Sequence, residues 1–226
     1  TIAGDNAIAF DFSAFSASTV NLTQELRRND ELDGGSGMYL ANGDLDLDDA
    51  GDKDADGNVI GDGFVTSQDV SRPSMTGDVK FGSMGGFLEV SSGTVDGNVF
   101  FGDGLSSFVL SNMEADPIAG SSYEKPLTTF RGAIAEASQL DISILNESSF
   151  ILVGQEATAP NQSLNSFLLT SPGNVGFVVD GNDYTEGDAL LVPTTLMLAG
   201  ADFTITPQLS TVEADGLTVR FLQTAS

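Results

Sequence analysis

GDVKFGSMGGFLEVSSGTVDGNVFFGDGLSSFVLS, residues Gly77–Ser111, carries the pattern on which the fold turns. Four short apolar runs stand in it: DVKF at Asp78, FLEV at Phe87, NVFF at Asn98 and FVLS at Phe108. Each is bounded by Gly, Asp, Asn or Ser, residues that favour turns, while Val, Leu and Phe favour a half-buried strand. Working outward, similar runs recur as ISIL at Ile142, FILV at Phe150, FLLT at Phe167, GFVV at Gly176, ALLV at Ala189, FTIT at Phe203 and LTVRFL at Leu217. Spacing of about 8–12 residues between strands is the signature of a sandwich or barrel rather than alternating βα units. The expected fold is therefore all-β: a β-sandwich or jelly-roll-like domain of about ten to twelve short strands with one or two short helices.

The main helix is expected over PLTTFRGAIAEASQL, Pro126–Leu140. Thr128 or Thr129 would cap it, and Phe130, Ile134, Ala137 and Leu140 repeat at helical spacing. TQELRRNDEL, Thr23–Leu32, offers a second, shorter helix. DGNVIGDGF at Asp56, DGNVFFGDGL at Asp96 and the looser DGNDYTEGDAL at Asp180 echo one another. Common β-turn chemistry accounts for the echo. Since no period is sustained, the reading excludes a solenoid. One domain spans residues 1–226, with an acidic insertion at 42–70 and a candidate subdivision at 117–126.

Composition excludes several functions. The 226 residues hold 33 Asp and Glu against 8 Lys and Arg, a net charge of −25. Phosphate contacts need Lys and Arg, so no nucleic-acid partner is expected. Neither Cys nor His occurs, which removes thiol nucleophiles, disulfides, Ser-His-Asp catalysis and His-ligated zinc. No run reaches the roughly 18 apolar residues of a membrane-spanning helix. Glu89, Asp96, Glu114 and Glu136 are the carboxylates a glycosidase pair could draw on, but their spacing singles out none. The expectation is a protein that is not an enzyme. The chain starts at Thr1, which fits a removed leader or a trimmed initiator Met.

The acidic insertion centres on DKDADGNVIGDGFVTSQD, Asp52–Asp69. Carboxylates this close repel unless a cation joins them, and calcium takes six to eight oxygen ligands. Asp52, Asp54, Asp56 and Gly57 form D-x-D-x-D-G, which resembles the calcium loops of EF-hand, dockerin and thrombospondin-type repeats. Counting from Asp52, however, Gly63 stands where an EF-hand has Glu. A second frame, DGFVTSQD at Asp62–Asp69, resembles the dockerin D-G-x-V-x-x-x-D pattern. Both frames stay open. The candidate ligands are Asp52, Asp54, Asp56, Asn58, Asp62 and Asp69, with structural calcium as the cofactor. Asp44, Asp46, Asp48 and Asp49 offer a second, weaker site.

NAIAFDF, Asn6–Phe12, reads as an amphipathic strand with Ile8, Phe10 and Phe12 on one face. An isolated strand of this kind can be donated to a neighbouring subunit. The expected function is thus a structural subunit of a self-assembling extracellular polymer: a filament or pilus, a sheath or a surface layer. Its partner would be itself, its location the cell exterior or surface. The alternatives are a viral capsid or tail protein, or a calcium-stabilised adhesin or carbohydrate-binding module. The absence of Trp, with Tyr39, Tyr123 and Tyr184 the only Tyr, counts against sugar stacking.

Overall fold

A computed structural model describes residues 8–16, 18–22, 26–29, 37–40, 72–112, 127–153, 161–170, 173–180, 185, 187–199, 203–211 and 220–224. The strands, in chain order, are β1 (Ile8–Asp11), β2 (Ser18–Leu22), β3 (Leu26–Asn29), β4 (Gly37–Leu40), β5 (Ser74–Thr76), β6 (Asp78–Lys80), β7 (Gly86–Val90), β8 (Thr94–Asp96), β9 (Val99–Phe100) and β10 (Ser106–Leu110). They continue with β11 (Thr128–Gly132), β12 (Ile134–Ala135), β13 (Leu140–Ile144), β14 (Ser148–Val153), β15 (Gln162–Thr170), β16 (Gly173–Asp180), β17 (Ala189–Ala199), β18 (Phe203–Thr211) and β19 (Arg220–Leu222).

Apart from the antiparallel pair β3–β4, the strands form three parallel walls. The first wall is β1-β6-β9-β12, the second β2-β7-β10-β13-β15-β17-β19 and the third β5-β8-β11-β14-β16-β18. Consecutive strands never pair within a wall: the chain visits one wall after another, then returns to lie beside its previous turn. This is a parallel β-solenoid, with each turn of chain stacked on the last. It overturns the expected sandwich and the exclusion of a solenoid. Alternating apolar and polar residues report that one face of a strand is buried, and they read alike for parallel and antiparallel neighbours.

The repeat is explicit in register. Asp78 and Asn98 are twenty residues apart and occupy equivalent corners, and Val79 pairs with Val99 as Ser107 pairs with Phe87. The next turn is stretched to thirty-five residues, since Asn98 meets Ala133. The extra length enters between β10 and β11, so the period breaks after a single repeat. Corners are tight. At Gly97 a side chain would collide with the Gly77 carbonyl oxygen, and at Gly132 with that of Gly97. Polar side chains then bridge the turns: the Asn98 N–H donates to Asp78 Oδ1 at 3.0 Å, and the Ala133 N–H donates to Asn98 Oδ1 at 3.0 Å. The Asp-Gly-Asn at Asp96–Asn98 is therefore a corner between walls.

No helix lies among the described residues, which corrects both expected helices. Leu26–Asn29 is strand β3. Within 126–140, Phe130 lies on β11, Ile134 on β12 and Leu140 on β13, all buried. The chain changes wall twice there, and each corner resets the two-residue alternation. Inward residues consequently fall four and three apart, which imitates helical spacing.

A column of rings fills the interior. Phe12 stacks on Phe81 and Phe81 on Phe101, with centroids 6.0 and 5.5 Å apart. Phe108 meets Phe101, Phe130 and Phe150, and Phe150 meets Phe167. Phe101, Phe108, Phe130, Phe150 and Phe167 are fully buried. Rings at these separations add attraction beyond the area they bury.

Candidate association surface

The inward side chains of the second wall form two columns along the axis. Register places Val20, Leu88, Phe108, Ile142, Phe167 and Leu196 in one. Leu22, Val90, Leu110, Ile144, Leu169 and Leu198 form the other. The interior members are essentially inaccessible. The two ends differ. At the β2 end Val20 is 7% exposed and Leu22 packs partly buried against the core. At the β17 end Leu198 is 48% exposed, though it faces inward, and its neighbour Met197 is 55% exposed.

Strand lengths explain the open end. β17 has eleven residues, but β19 has three and covers only Ala189–Leu191. Beyond this pairing, Thr194–Ala199 has no strand neighbour on that side among the described residues. ALLVPTTLMLA, Ala189–Ala199, contains no charged residue in a chain of net charge −25. Edge strands are usually protected against pairing by charge, proline or shortness, and beyond Pro193 this strand carries no charge.

A polar clasp fixes the covered half of β17. The Asp188 carboxylate accepts from the Thr185 N–H at 2.8 Å, the Thr185 hydroxyl at 2.8 Å and Asn161 Nδ2 at 2.7 Å. The Thr185 N–H, then Asn161 and the Thr185 hydroxyl, hold this carboxylate below its ordinary value. Asn161 Oδ1 in turn accepts from the Ala189 N–H at 3.0 Å. Arg220 donates its backbone N–H to the Asp188 carbonyl at 3.0 Å, and Nη1 to the Gly187 carbonyl at 3.0 Å. The starts of β15, β17 and β19 are thereby tied together, while among the described residues the far half of β17 pairs only with β15.

The residues singled out in the sequence fall elsewhere. Asp52, Asp54, Asp56, Asn58, Asp62 and Asp69 lie outside the described residues, as do Asp44, Asp46, Asp48, Asp49, Glu114 and the 117–126 segment. Among the described residues no three acidic side chains come together as a metal-holding group. β1 lies parallel to β6 of its own chain. Ile8 and Phe10 are exposed, and Phe12 turns onto Phe81. Asp11 accepts from the Ser13 hydroxyl at 2.6 Å and the Ser13 N–H at 3.0 Å, which hold its carboxyl low, with Lys80 adding to the effect. Glu89 is on the second wall, Asp96 on the third beside Arg131, and Glu136 at the corner after β12.

Leu196, Met197 and Leu198 were not among the candidate residues. Their signal was an uncharged, apolar stretch directly after ALLV, in a chain otherwise rich in Asp. Among the described residues no helix is long and apolar enough to cross a membrane. The chain matches no family model, no curated protein and no solved structure.

Proposed function

We propose that this protein is a structural, non-catalytic subunit that acts by associating with copies of itself outside the cell. The observation that carries the reading is the open end of the solenoid. An inward leucine, Leu198, is left half-exposed on an uncharged strand whose tip has, among the described residues, no strand neighbour beyond β19. Burying apolar surface stabilises by about 25 cal/mol per Å², so such an end gains from a cover. The solenoid itself supplies a stack of turns paired along one direction, suited to a scaffold. Calcium held by the acidic block would reduce the repulsion between copies that each carry −25.

Sedimentation of the full chain across protein concentration, at physiological salt, with calcium or with EDTA, tests the reading. The expected result is mass action toward a larger species, with Leu198→Lys shifting it back to the monomer. A monomer at every concentration, with calcium present, would remove the proposal.

A further inference from the structure

We infer that two copies join tail to tail, β17 against β17, in a closed two-fold dimer whose centre is Met197. The inference rests on the self-association proposed above and adds its geometry. Three observations lead to it. First, the ends are unequal: Leu22 packs partly buried against the core at the β2 end of its column, whereas Leu198 is half-exposed at the β17 end of the same column. A head-to-tail stack needs a receptive surface at both ends, but a two-fold contact needs one surface used twice. Second, β19 stops at Leu222 opposite Leu191, so among the described residues the tip of β17 has no strand on that edge, and a second molecule can approach there. Third, that stretch carries no charge, whereas β1 at the other end carries Asp11 beside Lys80. In a chain of −25, two copies meet with least repulsion through their uncharged tips.

The register follows from the pleat. Residues directly opposite each other in antiparallel strands project to the same face. A two-fold axis normal to the wall must therefore lie midway between a residue and its own copy. Centring on Met197 sets Leu196 opposite Leu198 of the second copy, and Leu198 opposite its Leu196. All four leucines then face the shared interior, and the second wall runs unbroken from one copy into the other. Centring on Leu196 would set Leu198 against Thr194, which is the poorer match.

The chain has no cysteine, so introduced thiols report without background. Directly opposed residues in antiparallel strands lie about 4.5–5.5 Å apart at Cα, within disulfide range. The experiment uses the full chain carrying Met197→Cys, oxidised in calcium-containing buffer and run on a non-reducing gel. Phe15→Cys, exposed near the other end, is the control. The expected result is doubling of mass for Met197→Cys and little for Phe15→Cys alone. Two results would overturn the inference. If the protein associates but Met197→Cys links only when mixed with Phe15→Cys chains, the contact is head to tail, and the self-association proposal survives. If neither variant links and the protein stays monomeric, both fall.

Discussion

Leu169 and Leu198 are partners in adjacent strands of one wall, yet Leu169 is 1% exposed and Leu198 48%. One further turn of chain separates a core residue from a surface residue of the same inward column. Much of the behaviour expected of this protein follows from how the stack is held together and where it stops.

The ring column should dominate stability. Phe108→Ala removes contacts to three neighbouring rings at full burial. The expected loss is about 3–5 kcal/mol in urea unfolding followed by circular dichroism. A loss below about 1 kcal/mol would mean that the column is not the core.

Gly97→Ala should destabilise by about 1–3 kcal/mol, because the added methyl meets the Gly77 carbonyl oxygen across the corner. Thermal unfolding of this variant is the check. A neutral result would show that the turns are not stacked this closely.

Arg131→Ala should change little. Its guanidinium lies 3.7 Å from Asp96, with both side chains half-exposed, and such surface pairs contribute at most about 1 kcal/mol. Raising salt should likewise leave the unfolding midpoint nearly unchanged on account of this pair.

Acid should loosen the β17 end. The Asp188 carboxyl is held below its ordinary value of 3.8 by Thr185 and Asn161. A carboxyl depressed in the folded state contributes stability that is present above the ordinary value and lost as pH falls through the folded one. The protection of the Ala189 and Arg220 amides against hydrogen exchange, relative to their intrinsic rates at each pH, should therefore fall below about pH 4. In Asp188→Asn the clasp should already be weakened at neutral pH, and the acid dependence at these amides should flatten.

Calcium should raise the melting temperature, and magnesium should do so less, if Asp52–Asp69 is a calcium loop. Asp54→Ala combined with Asp62→Ala should remove the shift. An unfolding curve identical in calcium and EDTA would leave the stretch as solvated acid.

Much of the strand content was legible in the chain because side-chain alternation and turn chemistry are local. FLEV and FVLS fall on β7 and β10, and the Asp-Gly-Asn corner at Asp96–Asn98 is marked by residues that tolerate a tight turn. Composition likewise fixed the charge and the absence of His and Cys. Strand direction was not legible, because a half-buried strand alternates identically beside a parallel or an antiparallel neighbour. Nor was the repeat, since the insertion between β10 and β11 lengthens the spacing from twenty to thirty-five residues. The tertiary structure decided that Phe130, Ile134 and Leu140 face one interior from three strands. It also decided that β17 outruns β19, which leaves Leu198 half-exposed. Burial depends on which turn of chain lies above which, and that is a property of the stack as a whole rather than of any one segment.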